Sequence, residues 1–202
     1  MPSFDFTAQT RLVARLADRV TEAQLDLPTP CPELPVRNLL GHLVGLTAAF
    51  RDAARKDLGP TTDTPPGDTV PDLGPAWRGD LSKNLQELAE AWQAPEAWEG
   101  FTRAGGVDLP AEVAAQVAMD ELVVHGWDLA RATGQEYAPG EAELQVSYAL
   151  LSPDADDRSA LSEQEAADSI FGPPVPVPPS APLLDRVIGL SGRDPHWAAP
   201  RR

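Results

Sequence analysis

The placement of proline does most to limit what this chain can become. There are 22 prolines, and most fall in clusters: DLPTPCPELP with prolines at 28, 30, 32 and 35, GPTTDTPPGDTVPDLGP over 59–75, and FGPPVPVPPSAP over 171–182. Inside a helix, proline removes a hydrogen bond and clashes with the preceding turn, so each cluster enforces a loop. The stretches between clusters carry apolar residues at helical spacing. In 4–21 these are Phe6, Leu12, Val13, Leu16 and Val20. A second helix is predicted from about Pro35 to Leu58, with proline tolerated in its first turn. A third covers 75–93, with Trp77, Leu81, Leu85, Leu88 and Trp92 as its stripe. A fourth runs from Pro110 to Thr133 and stops at Gly134, a natural helix end. A shorter fifth covers 140–152, and a last one 181–191. GFTRAGGVDLP reads as a turn, and no run alternates as a strand would. The expected fold is all-α, a four-helix bundle over 1–152, followed by an acidic and then proline-rich C-terminal extension, 153–202, packing on it.

Charge narrows the function. With 16 basic against 31 acidic residues the net charge is -15, which repels nucleic acid and anionic membrane surfaces. No apolar run approaches the ~20 residues that span a bilayer, and MPSFDFTAQTRL lacks the basic and apolar regions of a signal peptide. A single cysteine, Cys31, excludes an intrachain disulfide and agrees with a reducing compartment. The expected location is the cytoplasm, and the expected partner a small molecule. Whether two copies pair as a homodimer stays open at this point.

The stretch DELVVHGWDLA, Asp120–Ala130, interrupts an apolar helix with a glutamate and a histidine. On a helical wheel Glu112, Gln116, Asp120 and Arg131 gather on one, polar, side. Glu121 and His125 fall opposite, among Val117, Ala118, Leu122 and Leu129, and their spacing of four sets them side by side. A carboxylate buried without a partner is costly; a divalent metal or an imidazole hydrogen bond would compensate. In the second helix His42 has Leu39, Leu46 and Phe50 at helical spacing, so it too is expected to face inward. Two imidazoles and a carboxylate from facing helices suit an open zinc site and also a non-haem iron site. Such a site leaves one or two positions free for a water, a carbonyl or a thiolate.

These residues carry a family resemblance. TPCPELPVRNLLGHLVG (29–45), MDELVVHGWDLARATGQ (119–135) and FGPPVPVP with LLDRVIGLSGRDPHW together resemble the actinobacterial metal-binding proteins related to mycothiol-dependent maleylpyruvate isomerase, within the DinB-like superfamily of four-helix bundles. The resemblance implies a DinB-like bundle with His42, Glu121 and His125 as metal ligands. It implies zinc, with nickel or iron also fitting the set, and a thiol cofactor, mycothiol. Two departures stand out. Leu34 occupies a position where the family often has tryptophan, and only the extension stands where the isomerase has a second domain.

Other residues are read more plainly. Asp128 is expected at the helix edge, paired with Arg131; the alternative is a carboxylate that orients a ligand imidazole. Trp127 is expected on the polar side, against the extension. Cys31 reads as a packed loop residue with no positive charge nearby before Arg37, His196 as exposed, and Arg37 and Arg103 as solvated surface. Three functional readings follow. One is a metal-dependent thiol transferase or isomerase; another is a non-enzymatic metal or small-molecule binding protein; in the third, no metal binds and a buried polar pair fixes the bundle's register.

Overall fold

The computed structural model describes residues 4–31, 34–65, 73–153, 155–159 and 173–199. The principal helices are α1 (Thr7–Asp18), α2 (Val36–Arg55), α4 (Trp77–Ala91) and α5 (Ala111–Thr133), with a one-turn α3 (Pro60–Asp63) between α2 and α4. Then follow α6 (Glu141–Leu151), α7 (Ala155–Ser159) and α8 (Leu183–Leu190). The expected helices are all present, most of them shortened at their ends. Asp5 explains one of these ends: its Oδ1 accepts the Thr7 N–H at 2.7 Å, and α1 starts there.

The bundle is a ring in which α1 packs on α4, α4 on α2, α2 on α5 and α5 on α1. Its core joins Phe6, Val13 and Leu16 of the N-terminal segment to Leu39, Leu43, Leu81, Leu88, Leu122 and Leu129. The stripes read from periodicity are therefore the buried faces. The fold is an all-α bundle, and α2 and α5 are neighbours in it.

One segment differs from expectation. GFTRAGGVDLP is a β-hairpin, with β1 (Phe101–Ala104) antiparallel to β2 (Val107–Pro110) and Ala104 opposite Val107. Its two-residue turn is Gly105–Gly106, at φ +60° and +77°. Both positions require the left-handed region that favours glycine. The Gly-Gly pair was the available signal; four-residue strands are too short for alternation to show. Thr102 anchors the hairpin by donating to the Ala53 carbonyl at 2.6 Å.

The second difference concerns α5. The wheel gave it a polar face, yet nearly every residue from Ala118 to Ala130 is buried. The cover comes from later in the chain. α6 packs along α5, and α8 packs on α6. The proline-rich stretch is tied to α8 where the Val175 N–H donates to the Gly189 carbonyl at 2.9 Å, and Gly189 has no room for a side chain, since a Cβ there would lie 2.4 Å from Val177. Arg158 joins the ends of α6 and α8 by donating to the carbonyls of Leu151 and Leu190. Among the described residues no helix is long and apolar enough to cross a membrane.

Candidate metal centre

α2 and α5 bring the three residues predicted as ligands to one point. Glu121 Oε2 lies 3.1 Å from His125 Nε2 and 3.4 Å from His42 Nε2. The two imidazoles stand edge-on, with ring centroids 4.9 Å apart. One ligand atom from each residue fits within 4.8 Å of the others, and among the described residues this is the one group of three or more such side chains so arranged. Tetrahedral zinc with ligands at about 2.0–2.2 Å places neighbouring donors roughly 3.3–3.6 Å apart, so the donor set suits such an ion and the two separations from Glu121 lie close to that range. The inward orientation expected for His42 and Glu121 needs correction: their side chains are 27% and 23% exposed. They stand at a solvent-reached edge, whereas His125 is 9% exposed.

Asp128 also departs from expectation. It does not pair with Arg131. It is fully buried, and its Oδ2 accepts from His125 Nδ1 at 3.0 Å and from Arg193 at 3.3 Å. This bond holds the proton of His125 on Nδ1 and leaves Nε2 free to face Glu121, the arrangement typical of a metal-ligating histidine. The i, i+3 spacing of His125 and Asp128 was the available signal. Arg193 was missed because it lies 65 residues away in sequence from Asp128. A turn after α8 aims it: Gly192, at φ +83°, donates to the Gly189 carbonyl and Arg193 N–H to that of Ile188, the Schellman pattern of a helix end.

Protonation follows these contacts. Burial disfavours charge on Glu121, but hydrogen bonds from His125 and His42 outweigh it and hold the carboxyl well below its usual range. Burial also disfavours charge on His125, yet Asp128 and Glu121 prevail and raise its pKa to about 9. A metal ion would have to displace that proton.

Behind the triad lies a second acidic group. Asp120, expected on a polar face, is buried, and burial followed by the adjacent Glu121 charge pushes its pKa up to about 7. Asp120 Oδ1, Asp128 Oδ1, Ser147 Oγ and Arg193 Nε are all buried with no hydrogen-bond partner among the described residues. Trp127 is likewise buried, with Arg131 5.9 Å from its ring. Arg131 instead donates to the Trp197 carbonyl in the extension.

Arg193 is also within electrostatic reach of Cys31 and Glu121, so the positive charge absent from the sequence around Cys31 is supplied from the far end of the chain. Thr29 pins the Cys31 loop, accepting the Cys31 N–H and donating to the Leu34 carbonyl. Leu34 packs against the core. His196 is exposed, as expected. Arg37 pairs with Asp26 at the surface, and Arg103 with Asp63 and Asp108.

Residues 6–130 match the family described as mycothiol maleylpyruvate isomerase N-terminal domain. The chain belongs to that family. Among solved structures, the crystal structure of the mycothiol-dependent maleylpyruvate isomerase superposes with a TM-score of 0.63 at 17% identity, covering 96% of this chain and 88% of that one. A mutant of the same enzyme gives 0.55 at 16% identity, over 78% and 70%. At such identity the likeness is one of fold, and at that coverage it reaches into the extension. Two Mycobacterium tuberculosis proteins, Uncharacterized protein Rv0738 (strain ATCC 25618 / H37Rv) and Uncharacterized protein MT0763 (strain CDC 1551 / Oshkosh), are each 27% identical to it over 92% of this chain and 93% of their own.

Proposed function

We propose that this family member is a cytoplasmic metal-binding protein acting as a mycothiol-dependent transferase or isomerase on a small electrophilic substrate. His42, Glu121 and His125 would hold the metal, zinc by preference, with nickel or iron also suiting the donors. The observation that carries the reading is the meeting of two Nε2 atoms on one carboxylate oxygen, at an edge reached by solvent, with the Nδ1 of His125 anchored by Asp128. A closed structural zinc site normally has four protein ligands, usually with cysteine among them; three ligands and no cysteine favour an open one. When bound, a divalent ion there supplies electrophilic assistance and stabilises a thiolate. The chain's own residues do the rest. Asp128 orients His125, and Arg193 holds Asp128 from the buried side.

The test is elemental analysis of the untagged protein beside a His42→Ala variant, followed by mycothiol consumption with electrophilic substrates. The expected result is about one equivalent of metal, lost in the variant, and thiol consumed only by the loaded protein. Metal without thiol consumption would leave a non-enzymatic binding protein. Absence of metal after reconstitution would leave the triad as a polar cluster that sets the register of α2 against α5. Chelation should leave the fold intact, because the apolar core does not depend on the site; unfolding by chelator would assign the metal a structural role instead.

A further inference from the structure

The turn of α5 that carries the candidate ligands is gripped from outside the helix. Leu122 and Val123 lie between Glu121 and His125. In an α-helix their carbonyls already accept the N–H groups of Gly126 and Trp127. Here each receives a second donor from a distant part of the chain. Gln9 on α1 donates from Nε2 to the Leu122 carbonyl at 2.8 Å, across 113 residues of sequence. Tyr137, in the connection between α5 and α6, donates its hydroxyl to the Val123 carbonyl at 2.7 Å. The two donors are themselves joined, since Gln9 Nε2 also donates to the Tyr137 hydroxyl oxygen at 2.8 Å.

Tyr137 reaches this place only because residue 126 is a glycine. A Cβ at Gly126 would lie 2.9 Å from the tyrosine hydroxyl oxygen and 3.1 and 3.3 Å from two ring carbons. Glycine costs a helix interior ~1 kcal/mol relative to alanine, and nothing in the helical backbone of α5 calls for it. Its use here is space. The connector is held independently as well, by Gln135 donating to the Leu16 carbonyl of α1 at 3.0 Å.

We propose that Tyr137 and Gln9, admitted by Gly126, are positioning residues that fix the rotation and depth of the ligand-bearing turn of α5. Apolar packing alone lets a helix slide or rotate by fractions of an ångström. A metal site tolerates about ±0.2 Å in its ligand distances, and residues that hold a site must themselves be locked. Two directional hydrogen bonds to consecutive carbonyls of the turn, one buried and one half-buried, supply that lock. The inference rests on the metal reading for its purpose, and on the hydrogen bonds alone for its mechanics.

The experiment compares the full chain carrying Tyr137→Phe with a Tyr148→Phe control. The control removes a hydroxyl that accepts from Arg186 away from the triad. Co(II) is the probe, because its visible d–d bands report ligand geometry, and amide hydrogen exchange of the metal-free protein is the second readout. Y137F should bind Co(II) about tenfold or more weakly, with altered d–d bands and faster exchange confined to the turn around 121–127. Y148F should match the wild type in all three readouts, whatever it does to the melting temperature. Equal changes in both variants, or wild-type behaviour of Y137F, would overturn the proposal. Should Y137F not fold, Gln9→Leu removes the other strut and is read the same way. If the wild type itself binds no Co(II), the metal reading falls, and the exchange data alone then decide whether Tyr137 positions the turn.

Discussion

The two sides of α5 carry the same kinds of residue and treat them in opposite ways. On the side facing α2, Glu121 meets two imidazoles at an edge open to solvent, and its carboxyl is held ionised. On the side facing α6 and the extension, Asp120 and Asp128 are sealed. There Asp128 has an imidazole and a guanidinium, while Asp120 is left with little and is pushed toward neutrality. Burial pushes toward neutrality on both sides, and for Glu121 the two imidazoles outweigh it while for Asp120 nothing does. The open side is arranged to take a ligand, and the closed side to hold His125 still from behind.

The most severe way to break this contrast is Asp128→Ala. It leaves Arg193 and His125 without their buried counter-charge, and removing one partner of such a pair costs about 3–5 kcal/mol. Urea unfolding of the metal-free variant should show a loss of that size. A variant that still folds should bind zinc about 10–100-fold more weakly. If stability and affinity both stayed within experimental error, the closed side would have no hold on the open one.

The next effect is a pH dependence of the metal-free protein. His125 has its pKa raised from 6.5 unfolded to about 9 folded, so the folded state binds that proton more tightly. The stabilisation is complete below pH 6.5 and is lost as pH climbs through 9, amounting to something on the order of 3 kcal/mol. Urea midpoints at pH 6 and pH 9.5 measure it, and His125→Gln should flatten the difference. Metal loading should remove the loss too, because the proton is then already displaced. A flat profile in the metal-free wild type would show that the Asp128 and Glu121 contacts do not hold the imidazolium.

The open side was legible in the sequence and the closed side was not, for a physical reason. A helical wheel reports which residues of one helix share a face. For His42 and for Glu121 with His125, the apolar neighbours on the same helix were enough to turn the three toward one another, though not to show that His42 and Glu121 stand at a solvent-reached edge. For Asp120 the wheel pointed to the polar face and for Asp128 to the helix edge, and although Trp127 was expected against the extension, nothing within α5 could reveal that α6 and the chain around Arg193 would cover the two acids. The proline-rich stretch leading to that cover has no periodicity to read. Gln9 and Tyr137 were hidden for a related reason, since side-chain bonds to backbone carbonyls leave no trace in spacing.

Asp120→Asn tests the weakly partnered acid. The folded pKa of about 7 lies above the ordinary value of 3.8, so Asp120 favours folding fully below pH 3.8 and that contribution is lost as pH rises through 7. The asparagine variant lacks this loss. It should therefore be more stable than the wild type at pH 8, by roughly 4 kcal/mol in the metal-free protein, and the gap should narrow at pH 5. Destabilisation at pH 8 would mean that Arg193 pairs with Asp120 as strongly as with Asp128, and the contrast between the two acids would be lost.

The smallest effect separates two attachments of the extension to α5. One is the buried contact of Arg193 with Asp128; the other is Arg131, exposed, donating to the Trp197 carbonyl. Both join a guanidinium to an oxygen, but the second works in water, where it replaces hydrogen bonds that solvent would otherwise make. Arg131→Ala should cost less than ~1 kcal/mol, leave zinc affinity unchanged, and leave limited proteolysis of the extension close to that of the wild type. A loss comparable to that of Asp128→Ala would relocate the docking of the extension to the surface. The buried side of α5 would then support His125 without being what holds the rest of the chain in place.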